Sequence, residues 1–128
     1  MREVEFRGKT KEGDWVTGSY VYAHKWFGTG EAGYFITNIY GSERVLVIPE
    51  SIGQFTGLYD KNGKEIYEGD ILEYEFEDIG KQKAYVYWNE KYVGFLLEVV
   101  SENFEYTEIK KGKVIGNIYD NPEFIKEK

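Results

Sequence analysis

Six carboxylates fall within eleven residues, Glu68, Asp70, Glu73, Glu75, Glu77 and Asp78, with no Lys or Arg among them. If ILEYEF forms a strand, Glu73, Glu75 and Glu77 share one face, and Leu72, Tyr74 and Phe76 share the other. Three carboxylates in a row could hold a hard cation or imitate a line of phosphates. A cation site also needs a turn that folds oxygen ligands round the ion, and none is visible here. Paired acids for glycosyl or phosphoryl chemistry need a cleft, a defined separation and one raised pKa, and alternation alone supplies none of them. Strict alternation is the pattern of a strand with one wet and one buried face. The preferred reading is a solvated outer face over a buried Leu-Tyr-Phe face.

The other reactive side chains are sparse. The chain has no Cys and one His, His24. Disulfides, thiolate metal sites, Cys nucleophiles and multi-His zinc sites are therefore excluded. His24 has no locatable nucleophile or substrate partner for base catalysis and reads as a strand-end or surface residue. The run Gly28-Thr29-Gly30 with Gly33 spells a phosphate loop in letters, but that motif must open a helix. Here strand-like YFITNIY follows, so the glycines read as a hairpin tip. Trp26 and Phe27 at its base suit either an interface anchor or a hydrophobic cap. The twelve Tyr raise base stacking, yet Tyr is also a good strand residue with a polar tip. No cofactor and no metal site is expected.

These groups must be positioned by strands. Aromatics make up 18% of 128 residues, with 15 Gly and only 2 Pro, a balance that favours strands joined by turns. VEFRGKTKEGDWVTGSYV reads as one hairpin, SYVYAHK and YFITNIY as the arms of another, and RVLVIP as a strand ended by Pro49. Asn62-Gly63 is the strongest hairpin signal and predicts a type I′ turn between LYD and KEIY. Glu68-Gly69-Asp70 bends the chain into ILEYEF. KAYVYW, VGFLLEVV, NFEYTEI and KVIGNIY continue as short strands. Asn121-Pro122 starts a short helical turn, with Asn as cap and Pro at the first helical position.

The net charge of −7 is uneven. Residues 1–64 hold eight Lys or Arg against eight Asp or Glu, whereas residues 65–128 hold eight Lys against fifteen Asp or Glu. Nucleic-acid binding is driven mainly by basic charge, so it is the less favoured reading. No apolar run approaches the roughly 18 residues of a membrane span, and MREVEFRGK has no apolar signal region.

VIPESIGQFTGLYDKNGKEIYEGDIL, followed by VIGNIYDNPEF and preceded by REVEFRGK, resembles the YopX family, small proteins encoded by phages and prophages of Gram-positive bacteria. The resemblance covers both ends and the middle of the chain, with residues 35–45 and 76–113 adding no support, and one departure is Gly8-Lys9-Thr10, where the family often has Ala-Trp-Asp. It implies an all-β fold, a phage or prophage origin and life in the host cytoplasm, and it brings no activity or catalytic residues with it. GKEIYEGDIL itself resembles the entry to a small SH3-like barrel.

The expected architecture is therefore all-β: N-terminal β-hairpins over residues 1–53, packed with a C-terminal SH3-like small barrel over 54–128 that ends in a short helical turn. The expected function is non-enzymatic binding, with self-association into a homo-oligomer or capture of a host or phage protein. Trp26, Phe27, Tyr34 and the face of Glu73, Glu75 and Glu77 are the expected contacts. The alternative is a nucleic-acid-binding accessory of phage replication or regulation, acting through Lys110, Lys111, Lys113 and nearby Tyr residues.

Overall fold

The computed structural model describes residues 4–23, 33–37, 44–100 and 107–126. It is all-β, with ten strands and three short 3-10 turns among these residues. The chain divides into two compact units, Met1–Phe55 and Thr56–Lys128. Strand β5 (Gly53–Tyr59) runs across the division.

In the first unit, β1 (Phe6–Lys9) pairs antiparallel with β2 (Trp15–Ala23), and β2 with β3 (Gly33–Thr37). Then β3 pairs with β4 (Arg44–Leu46), and the start of β5 lies against the free edge of β1. The buried apolar side chains described there are Phe35, Ile36, Val47 and Phe55. Pro49 ends β4's path and opens the 3-10 turn Pro49–Ser51. Its Ser51 hydroxyl donates to the Ile48 carbonyl at 2.6 Å and accepts the Lys9 N–H at 2.8 Å. One hydroxyl thus closes the turn and satisfies a donor at the end of β1 that would otherwise lack a ladder partner.

In the second unit, the rest of β5 forms a hairpin with β6 (Glu65–Tyr67). The main sheet has the order β10 (Lys113–Asn117), β7 (Asp70–Phe76), β8 (Gly80–Asn89), β9 (Gly94–Val99), all antiparallel. A meander is followed by a 3-10 turn, Ile109–Lys111, and a last strand that returns to the first. Four strands of the expected SH3-like order are present as one antiparallel sheet, while β5 and β6 belong to the other sheet. The strand expected at NFEYTEI lies mostly outside the described residues. The core is Ile66, Leu72, Tyr74, Ala84 and Val86, with Phe76, Phe95, Leu97, Ile109 and Val114 packed against it. The Leu-Tyr-Phe face of ILEYEF is therefore the inner one.

The bend after β6 is a corner held on three sides. The Asp70 carboxylate accepts the Tyr67 N–H at 2.8 Å. Gly69 N–H donates to the Val86 carbonyl, and the Gly69 carbonyl accepts the Ile118 N–H, each at 2.8 Å. Asp70 is buried, and it satisfies an amide that the sharp turn would leave without a partner.

Two local expectations change. The β5–β6 turn is not type I′, because only Gly63 has positive φ (+83°) and Asn62 does not. The Gly63 N–H bonds the Asp60 carbonyl at 2.9 Å and the Asp60 N–H bonds the Lys64 carbonyl at 2.8 Å, which is a type I turn followed by a glycine bulge. Asn121 also does not cap the final 3-10 turn, Pro122–Ile125, with its side chain. Its Oδ1 instead accepts the Asn117 N–H at 3.2 Å, while its own N–H donates to the Asn117 carbonyl at 2.8 Å.

Candidate functional site

The acidic face is the first place to look, and the strand register alters it. Glu73 stands between Lys83 on β8 and Lys113 on β10, and Glu75 stands opposite Lys81. The Lys81 ammonium lies 3.9 Å from the Glu73 carboxylate. Glu77 falls in the turn after β7, beyond the strand. The face is thus striped with both signs, and cross-strand opposite charges stabilise the pairing modestly. Among the described residues no group of three or more acids or His converges as a metal cluster would.

Tyr34 lies on β3 within a row of aromatics across one sheet face. Its ring is 4.7 Å from Tyr22 and 5.9 Å from Tyr20, and Tyr20 meets Phe6 edge-on at 5.6 Å. Tyr20 and Tyr22 are exposed. Trp26, Phe27 and His24 lie outside the described residues.

The motif residues of the second unit are occupied by structure. Asp60 is 6% exposed. Its Oδ1 accepts the N–H groups of Asn62 (2.8 Å) and Lys64 (2.9 Å), and its Oδ2 accepts the Val114 N–H at 2.9 Å. Burial pushes the carboxyl up, but the three N–H donors and the nearby Lys64 ammonium outweigh it and hold Asp60 below the usual carboxylate range. Asn117 Oδ1 accepts the N–H groups of Tyr119 and Asp120. A side chain at Gly116 would run into the Asn121 amide. These side chains close turns, which explains why they are so well specified.

The second unit also carries an apolar groove. It has a volume of about 670 Å³ and is lined mainly by Leu58, Phe95, Leu96, Leu97, Val99 and Ile109, with Thr107, Glu108 and Lys110 as its polar residues. Phe95, Leu97 and Val99 alternate along β9 and so share one face, the face that packs on the core. Phe95 and Leu97 reach the groove from the core, while Val99 at the end of the strand is exposed. Such a volume and lining fall within the range of ligand and side-chain pockets, roughly 300–1,000 Å³.

Phe95 meets Trp88 edge-on at 5.1 Å, and Trp88 leads into the β8–β9 hairpin tip. There Tyr92 is 67% and Val93 71% exposed. Val93 has φ +52°, a left-handed conformation that is costly for a β-branched residue. Gly94, one position later, would have been the expected bearer of that angle. The Asn89 carboxamide fixes the tip by accepting the Tyr92 N–H at 3.0 Å. Composition pointed to surplus aromatics, but neither the groove nor the strained tip has a sequence signature, because both arise from pairing between strands.

Among solved structures, the crystal structure of protein EF1440 from Enterococcus faecalis is similar, at 24% identity and a TM-score of 0.55, over 98% of this chain and 100% of that one. At that identity the likeness speaks for the fold. No curated protein matches the chain. No helix among the described residues is long and apolar enough to cross a membrane. The model of the YopX protein family matches residues 4–126, which takes in every turn motif described above, and the chain belongs to the YopX family.

Proposed function

We propose that this YopX protein is a non-enzymatic interaction protein of phages or prophages, working in the host cytoplasm. It associates with a protein partner, another copy of itself or a host or phage protein, through the apolar surface of its second unit. One observation carries this reading. The groove of Leu58, Phe95, Leu97, Val99 and Ile109 continues through Trp88 to a tip that displays Tyr92 and a strained Val93. Stability alone does not favour an exposed β-branched residue in a left-handed conformation. Strain of that kind persists where a surface has another use, and exposed aromatics next to an apolar pocket are typical anchors of protein contacts.

The test compares wild type with Trp88→Ala/Tyr92→Ala. Light scattering after size exclusion reads self-association, and a tagged pull-down from infected and uninfected host lysate reads capture. Loss of assembly or of a nuclease-resistant partner in the variant supports the reading. A wild type that is monomeric and captures nothing, or a variant that behaves identically, rejects it.

A further inference from the structure

We propose that the turn Asp60–Lys64 and the segment Lys110–Lys113 form one cationic surface that binds the phosphate backbone of single-stranded nucleic acid. This goes beyond the protein-contact reading and rests on different residues, sharing with it only the groove that Lys110 lines. The two segments are some fifty positions apart in the chain, yet two hydrogen bonds join them. Lys61 N–H donates to the Gly112 carbonyl at 3.1 Å, and Val114 N–H donates to Asp60 Oδ2 at 2.9 Å. Lys61, Lys64, Lys110, Lys111 and Lys113 are all exposed around that joint.

The unit as a whole is acidic. Residues 56–128 contain ten Lys against sixteen Asp or Glu, and half of those Lys sit here. The nearby acids offset only part of the cluster and leave Lys61 and Lys111 over. Asp60 is engaged by three backbone amides, Glu108 pairs with Lys110 at 3.6 Å, and Glu73 faces Lys113 in the strand register. Lys61 and Lys111 have no ion pair among the described residues.

The backbone beneath the charges is rigid. Gly112 is buried against the ring of Tyr74, where any side chain would collide. The Tyr74 hydroxyl donates to the Ile109 carbonyl at 2.9 Å, and burial pushes that phenol well above its usual range, so it stays a neutral donor. Holding like charges together on a fixed frame costs self-repulsion, which a polyanion relieves. A phosphodiester chain carries one charge per residue and can satisfy the set without any particular sequence. An acidic peptide would need a run of acids to do the same. Lys110 also edges the apolar groove, which offers an unstacked base an apolar wall and favours a single strand over a duplex.

Fluorescence anisotropy with fluorescein-labelled oligothymidylate over a salt series tests this. Binding at low salt should weaken with a log–log slope of about −2, as for three phosphate contacts. Lys61→Glu/Lys111→Glu should lose at least about tenfold in affinity with its urea unfolding midpoint unchanged. Lys11→Glu/Lys126→Glu, with the same change in net charge elsewhere, should bind as wild type does. Three results overturn the proposal: no binding at low salt, equal loss in both variants, or lysine-dependent binding of labelled oligoglutamate without binding of oligothymidylate. The last would assign the surface to an acidic protein.

Discussion

Two hairpin turns in this protein are built alike and used differently. Thr10-Lys11-Glu12-Gly13-Asp14 joins β1 to β2, and Asp60-Lys61-Asn62-Gly63-Lys64 joins β5 to β6. In both, a glycine with positive φ, +96° at Gly13 and +83° at Gly63, sits fourth. In both, the first residue's side chain accepts the N–H of the fifth, at 3.1 Å for Thr10 and 2.9 Å for Asp60. Both first residues are buried. The difference is one oxygen. The Thr10 hydroxyl serves its own turn, whereas the second carboxylate oxygen of Asp60 reaches Val114 on β10. A closed local turn has become a tertiary joint, and the lysine surface is a by-product of that joint.

Substitutions can sharpen or break this contrast. Asp60→Ala leaves three part-buried N–H groups without their acceptor and should cost about 2–3 kcal/mol, since a hydrogen bond to a charged group contributes about 1.5–3 kcal/mol and water can reach part of what is left. Urea unfolding would read it. Oligothymidylate binding should also weaken, because the two lysine segments lose a tie. Gly116→Ala should cost about 2 kcal/mol by driving Asn121 off the Asn117 amide. Thr10→Ala removes one local bond and should cost only about 1 kcal/mol. If Thr10→Ala costs as much as Asp60→Ala, the distinction between local turn and tertiary joint fails.

A pH series separates the two turns without large destabilisation. The folded-state pKa of Asp60 lies below its unfolded value. Its contribution is present above the ordinary carboxylate pKa, about 4, and is lost as pH falls through the depressed folded value. Wild type should therefore lose stability on acidification by more than Asp60→Asn does, whereas Thr10→Ala should track wild type. Equal acid sensitivity of wild type and Asp60→Asn would contradict the charge-assisted role. The smallest effect is a gain. Val93→Gly should stabilise by about 1 kcal/mol by releasing left-handed strain, while weakening assembly or partner capture if the tip is a contact.

Much of the fold was legible because its signals are local. Period-2 alternation in ILEYEF placed Leu72, Tyr74 and the neighbouring Phe76 on the inner face. Glu68-Gly69-Asp70 read as a corner, since a small residue and a short carboxylate are what a sharp bend needs. Asn62-Gly63 marked a hairpin but named the wrong turn type. Both candidate turns place Gly63 at positive φ, and only the flanking register tells them apart. The acidic row looked uncompensated because Lys81, Lys83 and Lys113 come from other strands. The groove and the strained Val93 left no trace in the pattern of residue types.

By itself the sequence determined an all-β chain of the YopX family, with turns at Lys11–Asp14 and Asp60–Lys64, a corner at Asp70 and a Pro122 start to the last 3-10 turn. These depend on backbone angles and on side chains reaching amides a few residues away. Only the tertiary structure decided that Asp60 would hold Val114, fifty-four residues distant. It also decided that Lys61 would stand beside Lys111 and that Phe95, Leu97 and Val99 would line a groove. Those outcomes rest on which strands pair and in what register, and that choice is made by burial of the whole core.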